Sequence, residues 1–195
     1  MGKERLLAFS DGVIAILITI MVLELKTPEG GDWHSLRPLL PVLASYALSF
    51  LYLGIYWNNH HHLLHTAQRV NGKILWANLH LLFWLSLQPF VTGWMGRHGR
   101  EHAPAAAYGV VLLLSAIAFT ILQQTIRSTL ARGSILDEAV GRDVKGKVSM
   151  SLYAAGIGAA FITSSLAQAL FVIVALIWLV PDSCIERRVS DERSL

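Results

Sequence analysis

Residues 5–25 read Arg5-Leu-Leu-Ala-Phe9-Ser10-Asp11-Gly-Val-Ile-Ala-Ile16-Leu-Ile-Thr19-Ile20-Met-Val-Leu23-Glu24-Leu25, an apolar run of membrane length with an Arg, a Ser and an Asp in its first turns. About 20 apolar residues suffice to cross a hydrocarbon core of about 30 Å. An ionisable residue at the centre of such a helix costs about 2.5–3.5 kcal/mol on insertion scales, less near its ends. It normally faces a partner or a water-filled path rather than lipid. Arg5 and Asp11 therefore mark the first helix as the seat of function. The run contains Asp11 and lacks a small-x-small cleavage site, so it reads as a retained helix rather than a cleaved signal peptide.

Outward from this segment the same chemistry continues. Hydrophobic residues make up 54% of the 195 and charged residues 15%, with a mean hydropathy of +0.51. Such a balance excludes an ordinary soluble domain and points to an all-α integral membrane protein. Six candidate spans follow, at about 5–25, 36–66, 71–96, 104–127, 146–163 and 166–182, within one transmembrane domain covering 1–195. Turn-forming or charged stretches separate the first five: Pro28-Glu-Gly-Gly-Asp32, Arg69-Val-Asn-Gly-Lys73, Gly99-Arg-Glu-His102, and Arg132-Gly through Lys147. Only Thr163-Ser-Ser165 divides the fifth from the sixth.

Basic residues give the orientation, because cytoplasmic loops are enriched in Lys and Arg. With six spans and the N-terminus inside, Lys3, Arg5, Arg69, Lys73, Arg127, Arg132, Arg142, Lys145, Lys147, Arg187, Arg188 and Arg193 are cytoplasmic, and Lys26, Arg37, Arg97 and Arg100 are outside. Twelve against four places both termini in the cytoplasm of a multi-pass protein of the cell membrane. The net charge of +3 then needs no nucleic-acid partner. The single cysteine, Cys184, excludes an intrachain disulfide. No internal repeat is evident. A pore lined by the charged first helix therefore needs several chains around an axis.

On that helix Ile16, Ile20 and Leu23 stand at i, i+4 and i+7, with Thr19 adjoining, and so share one face. By spacing alone the stripe fits helix packing as well as a pore. Asp11 lies about two turns from the cytoplasmic end of its helix, His60 a similar distance before Arg69, and Asn78 just over one turn past Lys73. A hydrogen-bonded cluster of Arg5, Ser10, Asp11, Trp57, His60 and Asn78 at one depth would satisfy otherwise costly groups and hold the first helix in register. Arg5 has a second reading, snorkelling to lipid phosphates.

The string Arg5-x-x-x-Phe9-Ser10-Asp11 ahead of an apolar helix closely resembles the signature of the transmembrane protein 175 family, the endolysosomal potassium channels and their prokaryotic relatives. The likeness extends to Tyr56-Trp57-Asn-Asn-His60, Asn78-Leu79 and Pro89-Phe90, and in span count and spacing to the whole chain. It implies one six-helix unit per subunit, a homotetramer, and a cation channel favouring potassium ions without the usual Thr-Val-Gly-Tyr-Gly filter, which the sequence does not contain. It also implies a constriction at Ile16, Thr19, Ile20 and Leu23. Apolar rings there can gate by dewetting and make an ion shed water, which potassium does more readily than sodium.

Glu24, at the outer end of the first helix, suits a cation-attracting pore mouth, with a solvated end charge as the other reading. The competing functions are a secondary transporter, a proton-leak pathway and a histidine-metal membrane enzyme. A transporter calls for repeats or discontinuous spans, and the first helix has no Gly or Pro from 13 to 25. The run His60-His61-His62-Leu-Leu-His65 puts His61 and His65 on one face, but His34, His80, His98 and His102 form no second box. The expectation is a channel with no catalytic residues, metal or cofactor. Ala155-Gly156-Ile-Gly158-Ala-Ala160 offers close helix packing, and Pro89 interrupts backbone hydrogen bonding within the third span.

Overall fold

The computed structural model describes residues 2–67, 70–130 and 144–179. Arg69, Arg132, Arg142, Cys184, Arg187, Arg188 and Arg193 lie outside the described residues. Among those described there are seven α-helices, one 3-10 helix and no strand.

Helix α1, Lys3–Leu23, runs unbroken through the apolar segment. The chain re-enters through a 3-10 helix, Trp33–Leu39, whose N-cap Asp32 accepts a hydrogen bond from the Ser35 N–H at 3.2 Å. Helix α2, Leu40–Thr66, begins with Pro41 in its first turn, where a missing N–H has no partner to lose. The span expected from about 36 thus starts as a 3-10 helix containing Pro38 and becomes α-helical at Leu40.

The third span is one rod in two pieces. Helix α3, Gly72–Ser86, is capped by the Asn71 side chain, which accepts from the Ile74 N–H at 3.0 Å. Helix α4, Gln88–Arg97, follows directly. Pro89 has no N–H for the Leu85 carbonyl, and the chain tightens so that the Leu87 N–H bonds Trp84 instead. Helix α5 spans His102–Arg127, α6 Val144–Ala160 and α7 Ser164–Leu179. A turn at Phe161–Thr163 separates the last two.

Counting α3 and α4 as one rod and the 3-10 helix with α2, the described residues form six helical units. Lys3–Leu23, Trp33–Thr66, Gly72–Arg97 and His102–Arg127 are long and apolar enough to cross a membrane. Helices α6 and α7 are shorter, at 17 and 16 residues. At about 1.5 Å per residue each covers most of a hydrocarbon core.

Helix α5 is the hub, packed by α3, α4, α6 and α7, while α1 lies to one side against α2, α3 and α4. One apolar core joins Leu6, Ile14, Leu17 and Met21 of α1 to Leu53, Leu64, Ile74, Leu81 and Leu122. A second gathers Tyr52, Val91, Tyr108, Leu112, Tyr153 and Phe171. In it the Phe171 ring fits only because two neighbours are glycines. A Cβ at Gly156 would stand 2.5 Å from its Cε1, and one at Gly109 2.7 Å from its Cζ. The Gly156–Ala160 face is thereby used within the subunit.

Hydrogen bonds fix which helix ends lie together. Lys3 Nζ donates to the His65 carbonyl, joining the start of α1 to the end of α2. At the opposite end Gln168 Nε2 donates to the Gly99 carbonyl at 2.7 Å, and His102 Nδ1 to the Ala160 carbonyl at 2.6 Å. Lys3, Arg5, Lys73, Arg127, Lys145 and Lys147 sit at the first end, and Lys26, Arg37, Arg97 and Arg100 at the second.

Candidate functional site

Helix α1 has two unlike faces. Leu6, Leu7, Ser10, Ile14, Leu17 and Met21, spaced by three and four residues, are buried against its own subunit. The other face is open: Ile16 is 57% exposed, Ile20 44% and Leu23 78%, with Phe9 a further two turns down. Thr19 lies on the open side, and its hydroxyl donates to the Ile16 carbonyl at 2.9 Å. Its proton is spent inside the helix, so the oxygen presents lone pairs outward. At Gly12 nothing of the subunit lies within 4 Å of where a Cβ would be.

Along the N-terminal half of α1, three helices meet in a buried polar chain. Asn78 Nδ2 of α3 donates to Ser10 Oγ of α1 at 2.9 Å, and Asn78 Oδ1 lies 2.6 Å from His60 Nε2 of α2. Ser10, His60 and Asn78 are all fully buried. Because Asn78 presents its carbonyl to His60, the imidazole carries its proton on Nε2, leaving Nδ1 without a partner. Beside this chain Trp57 Nε1 donates to Asp11 Oδ1 at 3.0 Å on the half-exposed side of α1. The residues expected as one cluster are therefore two adjacent groups. Arg5 joins neither: it is exposed, with no hydrogen bond or ion pair among the described residues. Its place in the first turn of α1 puts its long side chain within reach of the interface instead.

At the C-terminal end of α1, Glu24 has a charged partner. Arg97 Nη1 of α4 lies 2.7 Å from Glu24 Oε2, an ion pair between the third and first spans. A second polar network, which the sequence did not single out, backs this end of α1. Ser49, Thr92 and Tyr108 are linked, with Ser49 Oγ 2.7 Å from Thr92 Oγ1 and 2.9 Å from the Tyr108 hydroxyl. Thr92 gives its proton to the Gln88 carbonyl at 2.6 Å, so Ser49 donates to Thr92 and Tyr108 donates to Ser49. Polar side chains inside three different spans were the available signal, but none carries a charge that stands out against hydropathy.

The rings of His61 and His65 are 4.5 Å apart between centroids. Among the described residues no group of three or more His, Cys, Asp or Glu is placed to hold a metal ion.

Comparison with known proteins places this geometry in context. The family model described as endosomal/lysosomal potassium channel TMEM175 matches residues 5–89. A potassium channel of Chryseobacterium sp. (strain P1-3) is 52% identical, over 98% of this chain and 100% of its own length. One from Streptomyces collinus is 33% identical, over 88% of this chain and 89% of its own. In three dimensions the chain is similar to the crystal structure of a lysosomal potassium-selective channel TMEM175 homolog from Chamaesiphon minutus. The TM-score is 0.80 at 26% identity, covering 91% of this chain and 96% of that one.

Proposed function

The chain belongs to the TMEM175 family of potassium channels, and from that premise we propose that four copies assemble in the cell membrane, both termini cytoplasmic, around a pore lined by α1. Ions pass along the axis without covalent chemistry, catalytic residues or a cofactor. The observation that carries this reading is the open stripe of Ile16, Ile20 and Leu23 on a helix whose other face is fully used. An apolar face left open in a membrane is covered either by lipid or by other copies of the chain. Family membership favours the second for this helix.

Around an axis the stripe supplies three apolar rings and the Thr19 oxygens one polar ring. An ion entering the narrow part sheds water with few oxygens to replace it, which disfavours sodium more than potassium. Thr19 offers lone pairs because its proton is bonded to Ile16. The Ser10–Asn78–His60 chain and the Asp11–Trp57 bond act as a latch, fixing the rotation of α1 so that the stripe faces the axis.

The test is the reversal potential of purified protein in planar bilayers, with potassium on one side and sodium on the other. A reversal displaced toward the potassium equilibrium potential is expected. Ile16→Asn and Leu23→Ala should each change the permeability ratio by about twofold or more, since each alters a ring that ions must cross. Parent-like selectivity in both would move the pore to another helix.

A further inference from the structure

Glu24 does not stand free at the outer end of α1. Its Oε2 lies 2.7 Å from Arg97 Nη1. It also rests on the backbone of α4, where a Cβ at Gly93 would come within 2.7 Å of the same oxygen. One turn of α1 below, Thr92 Oγ1 lies 3.9 Å from Met21 Sδ. The short helix α4, set off from α3 by the Pro89 break, therefore grips the last turn of α1 through a glycine surface and a guanidinium, with Thr92 in contact with Met21 beneath them.

We propose that Arg97 is a positioning residue for permeation: it holds Glu24 against Gly93 and neutralises it, so that the outer mouth carries a ring of ion pairs rather than a ring of free carboxylates. The inference rests on the reading of α1 as the pore helix. The charges in each subunit cancel locally, and cations approaching from outside meet little net attraction. Both side chains are partly in water, 49% exposed for Arg97 and 38% for Glu24, so their field is screened by salt.

Removing Arg97 leaves four unbalanced carboxylates at the mouth, whose attraction reaches about 30 Å at 0.01 M salt but only about 3 Å at 1 M. Arg97→Gln should raise inward potassium conductance about twofold or more in ~10 mM symmetrical potassium chloride and match the parent at ~1 M. Arg97→Lys, which keeps the charge, should stay near the parent. Glu24→Gln/Arg97→Gln should lose the low-salt gain, because the carboxylate responsible is gone.

An unchanged low-salt conductance in Arg97→Gln overturns the proposal. So does a change of equal size at both salt concentrations, which marks a purely structural effect, or a gain that persists in the double variant. The Ile16→Asn and Leu23→Ala variants separate the two failures. If they shift selectivity while Arg97→Gln does nothing, this inference alone falls; if none of the three alters the current, the pore reading falls with it.

Discussion

Asn78 shows how much one buried amide holds. It accepts from His60 and donates to Ser10, so a single side chain on α3 satisfies groups on α2 and α1 that lipid could not. Asn78→Ala orphans both, at about 1–3 kcal/mol for each buried group left without a partner. The expected outcome is a clear fall in the melting temperature of the detergent-solubilised protein. Equal melting of Asn78→Ala and parent would mean that the chain contributes nothing to stability. His60 and Asn78 drew attention in the sequence because polar groups within apolar runs need partners. The place of Arg5 was not legible there, since a long basic side chain near a helix end reaches either a partner or the interface.

At the scale of elements, breaks were easier to read than bonds. Pro89 removes a backbone donor wherever it sits, so an interruption near it was required, and the α3–α4 junction at Leu87 is the result. The α6–α7 turn was marked only by Thr163-Ser-Ser165, yet α6 ends at Ala160, ahead of those residues. The small-residue run in α6 announced close packing but not its occupant, which is Phe171 of the next helix. Gly156→Leu should therefore destabilise the fold by about 1–3 kcal/mol through overpacking. Combining it with Phe171→Ala, which opens the space, should recover part of the loss; thermal melts of the four variants measure the coupling, and strict additivity would show that the two positions do not compete for volume.

For the whole molecule, the decisive property is that α1 is finished on one side and unfinished on the other. If the open side meets other subunits, Asp11→Ala should act on assembly, because Asp11 and Trp57 flank that side rather than the core. Without that bond the open side is held less firmly in the shape that a partner meets, so the protein concentration for half assembly should rise. Light scattering across a dilution series in detergent reads this directly. Ile16→Asn and Leu23→Ala should assemble like the parent in the same experiment. An Asp11→Ala protein that assembles like the parent would confine the Asp11–Trp57 bond to a role within the subunit.

Membrane class, span positions and the orientation suggested by basic residues came from the sequence by itself, because hydropathy and Lys/Arg placement are properties of short stretches that lipid and water act on directly. The Arg5-to-Asp11 signature added the family resemblance. Tertiary structure alone decided which residues meet: that Glu24 is held by Arg97, that Ser49, Thr92 and Tyr108 form a second network, that Phe171 fills the space left by two glycines. The bonds among them join residues 43 to 73 positions apart, and the Phe171 packing depends on the rotation of one helix against another. A local pattern gives a helix its apolar stripe and its length; the neighbour that covers each side is set by how all the helices pack at once.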